Sequence, residues 1–244
     1  MSTVTLRIGT SGWQYRDWRG VLYPPKCPTT RWLGEYAQTF DTVENNNAFY
    51  RLPESDTFVK WRDATPPGFL MAVKASRFLT HIKRLRDPAE PVERLVQRVD
   101  ALGNRLGPVL LQLPPTLRAD QDLLAATLRE FPDRIRLAVE FRHDSWWTDE
   151  TRHTLEKHAA ACVWADRGSR RLTPLWRTAD WGYLRLHEGR ARPRPRYGRR
   201  ALQSWVRRVQ EAFSDARETF VYFNNDPGGA AVRDAQLFDA LQKR

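Results

Sequence analysis

The sequence predicts an α/β protein built as one (β/α)8 barrel of the TIM type, a single domain over residues 1–244. Three observations carry that reading. Eight apolar runs, each turning polar in its last residues, recur at intervals of about thirty residues. Between them lie segments whose apolar positions repeat at helical spacing. The glycine fingerprint that follows the first strand of a dinucleotide-binding open sheet is absent, which sets the doubly wound alternative second.

Taken in order, the first run is Leu6-Arg-Ile-Gly-Thr-Ser-Gly-Trp, where Gly9 and Gly12 suit a close backbone approach. Trp13, Tyr15 and Trp18 follow, placed either to stack on a ligand or to pack a loop. Helical spacing resumes at Trp32, Leu33, Tyr36, Ala37 and Phe40. The second strand, Asp41–Asn47, ends Glu-Asn-Asn-Asn, so it is expected to open on a cleft, with Glu44 and Asn46 on one face. A short helix at about Ser55–Ala64 turns Phe58 and Trp61 inward. The third strand, Phe69–Ala75, ends at Lys74, and its loop supplies His81, Lys83 and Arg84. A helix with Val92, Leu95, Val96, Val99 and Leu102 on one stripe follows.

The fourth strand, Val109–Leu113, carries Gln112 and stops at Pro114-Pro115. Leu123, Leu124, Leu128 and Phe131 mark the next helix. The fifth strand, Leu137–His143, alternates Glu140 and Arg142 on one face with Val139 and Phe141 on the other. Its helix begins near Thr148, with Asp149 and Glu150 in a favourable first turn. The sixth run is Ala161–Asp166 and the seventh Trp181–His187, where Arg185 and His187 share a face. Gly189–Arg200 holds six Arg in twelve residues with two Pro and no acid, which reads as an exposed, extended arm on the face of the strand ends. Trp205, Val206, Val209 and Phe213 mark the seventh helix. The eighth strand, Phe220–Asp226, brings Asn224 and Asp226, and Pro227-Gly-Gly leads into a helix through Val232, Ala235, Phe238 and Leu241.

No apolar run approaches the ~18 residues that span a membrane. The N-terminus lacks a basic region followed by an apolar one, and Cys27 and Cys162 stand outside metal-type spacings. A cytoplasmic protein with reduced thiols is expected. The formal charge of +11 favours an anionic partner, such as DNA, RNA or a sugar phosphate. Against a pure nucleic-acid reading, only six of the 40 basic residues are Lys, as an Arg-rich genome would also give.

Eight motifs in chain order resemble one family. They are Ile8-Gly-Thr-Ser-Gly-Trp, the Val43-Glu block through Phe-Tyr-Arg-Leu-Pro53, Val73-Lys-Ala, Thr80-His-Ile-Lys-Arg-Leu, Gln112-Leu-Pro-Pro, Val139-Glu-Phe-Arg, Arg185-Leu-His and Tyr222-Phe-Asn-Asn-Asp. Together they look like the DUF72 (YecE-like) family. The resemblance implies a TIM-type barrel without an assigned activity, similar to the endonuclease IV and sugar-isomerase group. This chain departs from the pattern at Asn45, usually apolar, at Ala48, usually a hydroxyl residue, and at Glu188, usually Gly.

In such barrels the site lies at the C-terminal ends of the strands. Glu44, Lys74, Glu140 and His187 are the candidate catalytic residues. Asn46, Gln112, Arg142, Arg185, Asn224, Asp226, Trp13 and His81 are the candidate substrate contacts. Glu44 and Glu140 serve as acid and base if their pKa values are pushed apart. Arg and Lys grip a phosphate or carboxylate. Glu44, Glu140, Asp166 and His187 are the donors for a divalent metal, should one be used, though crowding cations oppose it. Three functions follow: a nuclease-like hydrolase cleaving a phosphodiester or lesion, a sugar-phosphate isomerase or lyase, and a non-catalytic anion-binding module. Structural pairing of Glu140 with Arg142, or of Lys74 with Glu44, is the plainer alternative for those residues.

Overall fold

The computed structural model describes residues 5–168 and 170–243. Each of the eight expected runs forms parallel strand. β1 (Thr5–Thr10), β2 (Thr42–Asn45), β3 (Leu70–Lys74), β4 (Leu106–Gln112) and β5 (Leu137–Glu140) come first. The sixth run is divided into β6 (Ala161–Cys162) and β7 (Trp164–Arg167). An unforeseen two-residue strand, β8 (Arg170–Arg171), turns back antiparallel on β7, and β9 (Gly182–Leu186) and β10 (Glu218–Phe223) complete the set.

These strands form two five-stranded sheets, ordered β1-β10-β9-β7-β8 and β2-β3-β4-β5-β6, rather than the one closed ladder expected from the sequence. Two local causes divide them. Between β1 and β2 the Tyr36 hydroxyl takes the place of a ladder bond, accepting from the Thr10 N–H (2.9 Å) and donating to the Thr42 carbonyl (3.0 Å). Only an isolated bridge, Ser11 to Glu44, joins the strands directly. A Cβ on Gly9 would lie 2.2 Å from the Thr42 oxygen, so this approach requires glycine. At the other seam the chain changes partner. Val163 N–H still bonds the Val139 carbonyl on β5 (3.0 Å), and the next residue, Trp164, pairs with Leu184 on β9.

The helices pack as their apolar stripes dictate. α1 (Trp32–Tyr36) supplies Tyr36, α2 (Asn47–Tyr50) follows β2, and α3 (Ser55–Asp63) buries Phe58 fully and Trp61 partly. α4 (Ala89–Val99) buries Val92, Leu95 and Val99. α5 (Gln121–Arg129) is capped by Asp120, which accepts the Leu123 N–H (3.0 Å). α6 (Asp149–Lys157) opens on Thr148, as expected, through the Thr151 N–H (3.3 Å). α7 (Arg199–Ala212) and α8 (Ala230–Gln242) bury the stripes read for them.

Strand alternation sorts two cores. Val43, Val73, Val109, Val139, Leu184 and Val221 face the helices. Ala72, Leu110, Ala138, Ala161 and Val163 face Trp181, Tyr183, Phe220 and Tyr222 in a second cluster between the sheets. Small residues on one sheet thus make room for aromatic rings from the other. One step further along the same faces come Glu44, Lys74, Gln112, Glu140, Arg185 and Asn224, which is why polar groups gather above this aromatic plug.

Candidate functional site

Arg185 organises that polar layer. It is almost fully buried, and its guanidinium forks between two buried carboxylates, with Nη2 to Glu44 Oε1 at 2.7 Å and Nη1 to Glu140 Oε2. Nη1 also donates to Gln112 Oε1 (3.2 Å). The second Glu44 oxygen accepts from the Tyr183 hydroxyl (2.7 Å). The second Glu140 oxygen accepts from Arg142 Nη2 (2.5 Å) and from His187 Nε2–H (3.1 Å). Asn224 Nδ2 donates to His187 Nδ1 (3.0 Å), which favours the tautomer with its proton on Nε2, a nitrogen that Arg142 Nη2 also approaches at 3.0 Å. β9 and the residue that follows it thus contribute Tyr183, Arg185 and His187, three same-face positions in a row.

Charge follows from this geometry. Desolvation pushes the Glu44 carboxyl up, but Arg185 and the Tyr183 hydroxyl outweigh it, and the net shift is downward. For Glu140 the same balance, with Arg185, His187 and Arg142 opposing burial, ends well below the ordinary value. Both are therefore carboxylates at neutral pH. They do not diverge into an acid and a base as the sequence suggested, because one guanidinium stabilises both. Burial, helped by Arg185 and Arg142 and opposed by Glu140, holds His187 below the usual imidazole value.

Above this layer opens a cleft of about 770 Å³. Of the residues foreseen from the sequence, Trp13, Asn46, Lys74, Gln112, Arg142, Arg185, His187, Asn224 and Asp226 line it. Glu44 and Glu140 do not; they sit beneath it, fully buried. His81 is also outside the lining, with Nδ1 against the Thr80 hydroxyl (2.8 Å) and its ring nearly perpendicular to Phe49. Asp166 lies outside it as well, accepting from the Tyr197 hydroxyl (2.7 Å). The expected metal donors Glu44, Glu140, Asp166 and His187 are thus not gathered. Among the described residues no three His, Cys, Asp or Glu side chains converge on a metal-sized point.

Two groups in the cleft are poised near neutrality. Lys74 makes no ion pair within 4 Å among the described residues; its Nζ rests over the Phe49 ring at 3.8 Å. The expected Lys74–Glu44 pairing is replaced by Arg185–Glu44, because Arg185 reaches both carboxylates with two nitrogens. Burial, reinforced by Arg185, lowers the Lys74 ammonium to about 8. Desolvation raises Asp226 to about 7, with the Tyr15 hydroxyl opposing and the charges of Glu44 and Asp17 adding to it. Asp226 Oδ1 and Asn46 Oδ1 are buried without a hydrogen-bond partner among the described residues.

Several contributors were not foreseen. Tyr183 could have been found, since it shares the inward face of Arg185 and His187. Arg167, the last residue of β7, also lines the cleft, and so does Tyr15, one of the aromatics read as stacking on a ligand or packing a loop. Asn45, one of the departures from the family pattern, is buried and accepts the Asn47 N–H (2.8 Å), starting α2. The Arg-rich segment is not an extended arm. It folds back, with Gly189 N–H on the Pro195 carbonyl (2.9 Å) and Ala191 N–H on the Arg196 carbonyl (2.9 Å). Buried Asp234 closes the fold by accepting from Arg196 Nε (3.0 Å), Tyr197 N–H (2.7 Å) and Asn225 Nδ2 (2.8 Å). Arg190, Arg192 and Arg194 remain exposed.

Comparison with known proteins agrees with the motifs. Residues 7–244 match the model described as "Protein of unknown function DUF72". The UPF0759 protein YunF of Bacillus subtilis is 25% identical over 96% of this chain and 94% of its own length. A DUF72 family protein of Thermotoga maritima superposes with TM-score 0.87 at 30% identity, covering 98% of this chain and all (100%) of the other. In fold alone, a xylose isomerase-like TIM barrel/4-hydroxyphenylpyruvate dioxygenase fusion protein is similar over 99% of this chain and 43% of its own, with TM-score 0.50 and 11% identity. The chain, by its motifs, its matched length and its structural relatives, belongs to the DUF72 family.

Proposed function

We propose that the cleft binds a small phosphorylated polyhydroxy compound and moves protons on it, as a sugar-phosphate isomerase or lyase does. One observation carries this reading: Glu44 and Glu140 are held by Arg185 and Arg142, so Lys74 and Arg167 meet the cleft without an ion pair among the described residues. Such a surface selects a phosphate or carboxylate. Asn46, Gln112 and Asn224 offer amides for hydroxyl groups, and Trp13 and Phe141 offer apolar faces. The volume suits a ligand of sugar-phosphate size.

Lys74 and Asp226 are the proton carriers in this reading, since both titrate near pH 7 to 8. Glu44 and Glu140 hold Arg185 in place, and Glu140, Arg142 and Asn224 orient His187. The reading treats the two sheets as halves of one (β/α)8 barrel, with Tyr36 and the partner change at Val163 as its seams. The buried free thiols of Cys27 and Cys162 support a cytoplasmic setting, and no helix among the described residues is long and apolar enough to cross a membrane.

A second reading, binding and cleavage of nucleic acid, is favoured by the three exposed arginines of the folded-back loop. That loop reaches the cleft's neighbourhood, where Arg190 Nε lies 3.7 Å from the Cβ position of Gly168. The two readings separate in one titration. Calorimetry with inorganic phosphate and with ribose 5-phosphate at low ionic strength should show binding that Arg142→Gln weakens about tenfold or more, as expected for loss of a charged hydrogen-bond donor. Absence of binding to either compound, with retention of an oligonucleotide, would move the nucleic-acid reading ahead.

A further inference from the structure

Lys74 has more to explain than anion binding. It is the last residue of β3, and its side chain is about nine-tenths buried (9% exposed) in the cleft wall. A lysine ammonium so placed normally meets a carboxylate. Here the two nearby carboxylates are already taken, Glu44 by Arg185 and Tyr183, and Glu140 by Arg185, Arg142 and His187. Beneath Nζ lies the face of Phe49, whose ring is nearly perpendicular to that of His81 (80°). Arg185 and Arg142 add positive potential. The Phe49 face, Glu44 and Glu140 favour a positive charge here, but burial and the two guanidiniums outweigh them.

We infer that Lys74 is a nucleophile, which condenses with the carbonyl group of a small phosphorylated carbonyl compound and holds it in the cleft as an imine. The inference rests on the anion-binding reading of the cleft above. The neutral amine adds its lone pair to the carbonyl carbon while the C=O π pair moves to oxygen. The oxygen takes up the proton that nitrogen gives up, forming the carbinolamine. Protonation of that hydroxyl and its departure as water leaves the iminium, so amine, carbonyl and one proton become iminium and one water. The positive charge then stays on the nitrogen that rests over Phe49, where a ring face favours a cation. Glu44 and Glu140 supply negative potential from below. With its ammonium at about 8, roughly a quarter of Lys74 is neutral at pH 7.5, against about 0.1% of an ordinary lysine.

The chain has six lysines, Lys26, Lys60, Lys74, Lys83, Lys157 and Lys243, so the test is a map of all six. The full-length protein is incubated with glyceraldehyde 3-phosphate and sodium cyanoborohydride at pH 7.5, and digested peptides are weighed by mass spectrometry. Lys74 should become a secondary amine at least about tenfold faster than any other lysine, following its larger neutral fraction. Excess inorganic phosphate should slow this, and unphosphorylated glyceraldehyde should react more slowly. Lys74→Arg should lose the fast adduct; if that variant does not fold, the wild-type map decides. Modification of Lys74 no faster than of the other five overturns the inference. Calorimetric binding of inorganic phosphate alongside that result would leave the anion-binding cleft standing. Fast Lys74 labelling without phosphate binding or phosphate protection would overturn the phosphorylated substrate instead.

Discussion

Replacing Arg185 with Met tests whether one guanidinium holds the polar layer together. The substitution keeps an unbranched, buried side chain and deletes the charge. Glu44 would retain only the Tyr183 hydroxyl, whereas Glu140 would keep Arg142 and His187. Both carboxylates are fully buried, so stranding them should cost about 3–5 kcal/mol, the usual loss when one partner of a buried pair is removed. For a chain of this size each kcal/mol shifts the melting temperature by about 2–4 °C, so a drop of roughly 6–20 °C is expected at pH 7.5. The pH dependence carries the sign. In the wild type the depressed carboxyl pKa values contribute stability that is present above the unfolded value and lost as pH falls through the folded ones. In the variant Glu44 should instead have a raised pKa, so its folded form gains a proton as pH falls and the deficit shrinks. Thermal unfolding followed by circular dichroism at pH 7.5 and 5.5 measures both. A melting difference under about 2 °C, or a deficit that widens at pH 5.5, would refute the account of Arg185 as the shared counter-ion.

Three further outcomes follow from the same geometry. Asn224→Asp should replace a donor to His187 Nδ1 with an anionic acceptor and raise the imidazole pKa; a titration of the ring by NMR that stays put would contradict the hydrogen-bond assignment. Phosphate affinity should fall as pH rises from 6 to 9, first as Asp226 ionises near 7 and then as Lys74 loses its proton near 8. Asp226→Asn should remove the lower step alone, which calorimetry across the range would reveal. Changing Arg190, Arg192 and Arg194 to Ser should leave the melting temperature within about 1–2 °C, since exposed substitutions matter little. If nucleic acid is bound, it should flatten log K against log salt by about two to three units. Arg196→Ser should behave differently and lower the melting temperature, because it uncovers buried Asp234.

Much of the fold was legible in the chain because strand alternation is a local rule. It places Glu44, Lys74, Gln112, Glu140, Arg185, His187 and Asn224 at polar strand ends from the sequence alone. It also gave the Glu140–Arg142 pair, two residues apart on one face. The sequence did not reveal that the barrel-like ladder breaks at two seams. The Tyr36 hydroxyl enters between β1 and β2 from a helix, and a ladder bond replaced by a side chain leaves no periodic trace.

Sequence by itself determined which residues face inward and where the cleft opens, because those follow from a two-residue period and a strand's direction. Tertiary structure decided who pairs with whom. Arg185 reaches Glu44 across 141 residues and Glu140 across 45, and no spacing rule ranks those partners against Lys74. That one choice sinks both carboxylates below the cleft and frees Lys74. Likewise the Arg-rich segment has the composition of an open arm, yet a buried Asp234 38 residues away from Arg196 folds it back. Burying that carboxylate without its three donors would be costly, so a distant charge overrides the local preference of the prolines.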